Sequence, residues 1–125
     1  MCRSEAGERA RADSGYVTAE AAVVVPALVL FTMALIWALM ATSAQIQCVD
    51  AARAGARAAA RQEPAGASVA AARQAAPRGA RVTIGREGDL VRVTVEAPSP
   101  GLGALSLTLR AEAVAAAEES VGVAA

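Results

Sequence analysis

Histidine and lysine are absent from the 125 residues, and one tyrosine, one phenylalanine and one tryptophan are the only aromatics. Without histidine the commonest general base and the commonest metal ligand are missing together. No phosphate-binding glycine loop, paired carboxylate cluster or nucleophile motif stands in for it, which reads as a non-enzyme with no cofactor, no metal and no small-molecule substrate. Glu87 and Asp89 flank a turn glycine and read as solvated. Cysteine is scarce as well: Cys2 and Cys48 are too few for a disulfide framework and lack metal-site spacing. Cys48 reads as an inert small residue near a membrane boundary, with an intermolecular disulfide as the alternative. Nor is there an excess of positive charge. Twelve basic residues, every one an arginine, balance twelve acidic ones, which removes the electrostatic footprint of a nucleic-acid binder.

Small apolar residues are what the chain has in quantity. The composition is 55% hydrophobic and mostly Ala and Val, so a thick aromatic core is not expected. From Ala21 to Ala41 the sequence AAVVVPALVLFTMALIWALMA carries no charge, and only Thr32 is polar. A helix of that length crosses about 30 Å of hydrocarbon at about 1.5 Å per residue. A domain of this size could hardly surround a helix apolar on every face, so the run reads as a transmembrane segment. Pro26 removes one helix donor and leaves the Ala22 carbonyl without its usual partner, which predicts a kink there. Trp37 lies too deep in the run for an interfacial anchor and reads as packing. Arg3, Arg9 and Arg11 precede the segment while Arg53, Arg57 and Arg61 follow it, so counting positive charges leaves the orientation tied.

Residues 1–15, MCRSEAGERARADSG, are polar and end in Gly15, and they read as a processed leader rather than as structure. Glu20 then stands at the lip of the apolar run, where an ionisable group costs a few kcal/mol unless it finds a partner or reaches water. One explanation is a helix N-terminal acid favoured by the macrodipole. The other uses its distance from Gly15. A cut between Gly15 and Tyr16 would make Glu20 the fifth residue of the mature chain, and the new amine would carry the opposite charge. In a helical assembly the carboxylate of one subunit could then neutralise the amine of its neighbour.

The stretch GYVTAEAAVVVPALVLFTMALIWALMA, followed by VDAARAGARAAAR, resembles the TadE-like minor pilins or pseudopilins of tight-adherence (Flp-type) type IV pilus systems, particularly the short actinobacterial members. The resemblance covers about Gly15 to Arg61. It departs from the commoner pattern at Ala21, where many members carry Phe, and at Tyr16, where a small residue is more frequent. In that family a prepilin peptidase cuts after a glycine and a glutamate lies five residues on, which Gly15 and Glu20 match. The resemblance implies a structural or assembly component in the cell membrane, single-pass, with its C-terminal domain extracytoplasmic. It implies as partners the prepilin peptidase, other pilins and pilus assembly-platform proteins. Two alternatives stand beside it: a membrane-anchored binding module with Glu20 merely interfacial, and a secreted domain released after Ala44, where Thr42, Ser43 and Ala44 form a small-x-small pattern.

Beyond the membrane segment the helix is expected to continue, giving one long element over 16–61. Arg53, Arg57 and Arg61 form a charged stripe with Asp50 beside it, and Ile46, Val49 and the alanines lie off that stripe and can pack. Pro64 and Gly66 interrupt the helix, and a linker with a short helix, SVAAARQAA, fills 62–79. Residues 80–118 read as a small antiparallel sheet. RVTIGR and LVRVTVEA alternate around the turn EGD. After a loop with Pro98, Pro100, Gly101 and Gly103, SLTLRAEAV puts Leu107, Leu109, Ala111 and Ala113 on one face. Residues 119–125 read as a tail. The expected fold is α+β, a long N-terminal transmembrane helix followed by a short helix and about three antiparallel strands.

Overall fold

In the computed structural model, residues 2–101 and 106–117 are described; the expected tail at 119–125 and Gly103 of the expected loop lie outside them. The elements follow in the order α1 (Cys2–Ala60), α2 (Ala65–Ala75), β1 (Arg81–Glu87), β2 (Leu90–Pro98) and β3 (Thr108–Ala116). The class is α+β: a long apolar N-terminal helix, a short helix and a three-stranded antiparallel sheet. α1 takes in the charged opening stretch, which the sequence reads as lacking structure. Its Ala, Glu and Arg content is that of a helix former.

The chain divides into two compact units, Met1–Ile36 and Trp37–Ala125. The first is helix alone. Val23 is 72% exposed, Leu30 71% and Phe31 62%, so the apolar side chains of this unit face outward around the helix. Only lipid or another protein can cover such a surface, and α1 is long and apolar enough to cross a membrane. Thr32 fits that setting, because its Oγ1 donates to the Leu28 carbonyl at 2.8 Å and leaves no free hydroxyl.

The second unit is built on β2. It is the central strand of the order β1-β2-β3, and Val91, Val93, Val95 and Ala97 are buried on one of its faces. Burying each valine contributes roughly 1.5 kcal/mol or more. Onto this face α1 lays Cys48, Ala51, Ala52 and Ala56, spaced by three and four residues, with Gly55 between them. Nothing on that stripe is larger than cysteine, so helix and sheet approach closely. At Gly55 an added Cβ would lie 3.1 Å from both Ala72 Cβ and Val93 Cγ1.

Two expectations are corrected here. Ile46 is 56% exposed rather than packed, because it stands roughly 160° around the helix from the buried Cys48. Leu107 is likewise 56% exposed and precedes β3, while Leu109, Ala111 and Ala113 do join the core. The Leu107 backbone is nonetheless tied down: its carbonyl accepts from the Ser99 amide at 2.6 Å and its own amide donates to Ser99 Oγ at 2.9 Å.

Local chemistry ends each element. Gln62 closes α1 at φ 58°, with its amide on Ala59 O and that of Glu63 on Ala58 O, a Schellman pattern with glutamine where glycine is usual. α2 starts without a side-chain cap on Pro64, so its stability comes from packing of Ser68 and Ala72. Glu87 and Leu90 pair across the two-residue loop Gly88–Asp89, and Gly88 at φ 59° supplies the positive first dihedral that a type II′ hairpin needs. The outer face of the sheet carries Arg92 on Glu112 at 2.9 Å and Arg110 on Glu96 at 3.6 Å, exposed pairs worth a few tenths of a kcal/mol.

Cys48 is fully buried, and desolvation pushes its thiol pKa up. The neutral thiol is therefore favoured in the folded state, and stability should fall as pH rises past the ordinary thiol range. Burial also takes Cys48 out of reach of a second chain, against the intermolecular disulfide. Maleimide labelling of Cys48 in a Cys2→Ala background should be at least about a hundredfold slower in the native chain than in urea. Equal rates would contradict this packing.

Candidate processing and assembly site

Gly15, Tyr16, Glu20 and Pro26 all lie on α1, within the first unit, and the helix carries them at fixed angles. Gly15 has nothing within 4 Å of an added Cβ, and Tyr16 is 78% exposed, so the bond between them is open to a protein that approaches it. It is helical, however, so a cleft that takes extended backbone would have to unwind it first. Glycine lowers that cost, because it favours helix by about 1 kcal/mol less than alanine does. Nearby hydroxyls also turn onto the helix: Ser14 Oγ donates to Arg11 O at 3.0 Å and Thr18 Oγ1 to Ser14 O at 2.8 Å.

Glu20 is exposed and lies four residues past Tyr16, hence on the same face and about 6 Å along the axis. Its helical neighbours are Tyr16, Val17, Val23 and Val24, all exposed and none cationic. The carboxylate has no ion pair among the described residues, and Arg11 is roughly 13 Å back along the axis. Glu20 is thus an acid among apolar neighbours with no cation beside it among the described residues. Pro26 sits inside α1, one turn and a half further on.

No group of three His, Cys, Asp or Glu able to hold a metal occurs among the described residues. The Arg53, Arg57 and Arg61 stripe is exposed, and Arg61 pairs with Glu63 at 2.8 Å. Sequence reasoning passed over two structural residues of the second unit. Gly55 is one, and its signal was the i, i+3, i+4, i+7 spacing of small residues from Cys48. Gln45 is the other: its Nε2 donates to the Arg110 carbonyl at 3.1 Å, a contact between residues so far apart that no local pattern announces it.

A family model described as TadE-like protein matches residues 15–57, which takes in the glycine, the glutamate, the apolar run and the packed stripe from Cys48 to Ala56. The chain is also similar to a protein of Mycobacterium tuberculosis named apoptosis inhibitor Rv3655c. The two are 42% identical over 96 residues, which cover 77% of this chain and 76% of the relative. No solved structure matches the chain.

Proposed function

This chain belongs to the TadE-like family, and from that premise we propose that it is a minor pilin or pseudopilin of a tight-adherence pilus, cut by a prepilin peptidase after Gly15. The family ties the chain to pilus systems as a structural component, and the apolar helix α1 fits single-pass membrane anchoring. The observation that carries the finer reading is Glu20, an unpaired carboxylate on an apolar helix face, one turn past an exposed Gly15–Tyr16 bond.

Cleavage creates an ammonium at Tyr16, and the carboxylate then has an opposite charge available at its own depth. Within one chain the pair lies on one face; between chains it fixes the axial offset of neighbouring helices. In a low-dielectric layer the attraction is several times stronger than in water, and an unmatched charge is correspondingly expensive. Pro26 introduces the kink that lets the segment below it adapt to a neighbouring helix. The leader stays on the cytoplasmic side and the sheet unit outside.

Two observations weigh against the alternatives. Ala44 is buried within packed helix, which disfavours release after it. In the uncut chain of a membrane-anchored binding module, Glu20 lies well inside α1, which starts at Cys2, so the macrodipole gives it no support there.

Glu20→Gln removes the charge and keeps the shape. It should insert into membranes like the parent chain, while co-purification with partner pilins falls by about tenfold or more. Unchanged co-purification would remove charge pairing from the account.

A further inference from the structure

We propose that one end of the second unit, where Met40–Gln47 of α1 meets Arg78 and the Pro98–Gly101 loop, with Arg81 at the same end of the sheet on its outer face, docks on anionic phospholipid headgroups, Arg78 taking a lipid phosphate. The inference rests on the membrane-anchored reading above, through Met40.

A cavity of about 500 Å³ opens at this end, lined by Met40 and Ala44 of α1 together with Pro77, Arg78, Pro98 and Pro100. Met40 is also one residue from the end of the uncharged run Ala21–Ala41. The cavity therefore opens at the depth where hydrocarbon gives way to headgroups. Its lining is mostly apolar with one cation, which suits an amphiphile. The upper part of a lipid can rest on methionine and proline while its phosphate meets the guanidinium.

The charges at this end are arranged for the same occupant. Arg78 and Arg81 are exposed and have no ion pair among the described residues. Glu96, the register partner of Arg81, is already engaged by Arg110 at 3.6 Å. The opposite end of the β1–β2 hairpin carries Glu87 and Asp89 at its turn, so those two acids lie away from the proposed surface and Glu96 is the acid beside it. Two uncommitted arginines beside a membrane each favour an anionic over a neutral surface by about fivefold.

The test uses the full chain reconstituted in vesicles of phosphatidylcholine with a minority of phosphatidylglycerol, followed by mild detergent extraction and native mass spectrometry of the retained lipids. Phosphatidylglycerol should be enriched several-fold over its share of the vesicle. Arg78→Gln combined with Arg81→Gln should bring it down to that share, while Arg78→Lys keeps most of the enrichment. Quenching of Trp37, the one tryptophan, by brominated phosphatidylcholine reads membrane placement separately. Quenching with no enrichment, or with enrichment that survives the double substitution, overturns the lipid surface and leaves the membrane reading standing. Absence of quenching overturns both.

Discussion

Gly55→Leu is expected to abolish cooperative folding of the second unit in the full-length chain. At this position the helix meets both α2 and β2, and even a methyl group there would come to 3.1 Å from Ala72 Cβ and from Val93 Cγ1. A leucine adds three more carbons where Ala72 and Val93 are both fully buried and have no room to retreat. Overpacking of this kind costs on the order of 3 kcal/mol. That is a large part of what a small unit with an Ala and Val core can have in reserve. Gly55→Ala separates crowding from helix propensity: the tight contacts oppose a gain of about 1 kcal/mol from replacing a helical glycine, so its net effect should be small. Urea unfolding of the detergent-solubilised chain, followed by its strand signal, measures both. A Gly55→Leu chain with the parent midpoint would mean that α1 does not pack on the sheet at this point.

The second large effect is expected at Gly15. Gly15→Ile should leave the fold untouched, since open space surrounds the position, and should leave the leader attached. The argument is local. Cleavage requires the helix to open around the Gly15–Tyr16 bond and an extended backbone to enter a peptidase cleft. A branched side chain replaces the one residue whose helix is cheap to open and fills the cleft where a bare backbone would lie. Processing in cells that carry the peptidase should drop by about a hundredfold, on the order of the 3 kcal/mol that such crowding costs. Normal processing of the variant would show that recognition depends on the apolar helix alone.

How far the sequence foretells this molecule depends on whether an interaction is periodic. Val91, Val93 and Val95 alternate with Arg92, Thr94 and Glu96, and the strand, its buried face and its charged face follow from that alternation. The glycine of the EGD turn is equally legible, because few residues other than glycine take its positive φ readily. The apolar run announces the long helix in the same way. What could not be read is contact between distant residues. Gly55 looks like one more small residue in an Ala and Arg helix until Ala72 and Val93 are brought against it. Ile46 was placed off the arginine stripe, which is not the same as facing the sheet; the buried direction is set by Cys48, Ala51 and Ala52. In the candidate site, Gly15, Tyr16 and Glu20 are legible because helical spacing alone relates them. The proposed lipid surface is not, since Met40, Arg78 and Pro98 meet only in the folded unit.

The central claim is that the chain acquires, by proteolysis, the positive terminus that Glu20 lacks. Intact mass of the protein taken from membranes of a cell with working pilin-processing machinery tests it most directly. The account predicts one species that begins at Tyr16. Recovery of a chain that retains residues 1–15, or of one that begins after Ala44, would contradict it.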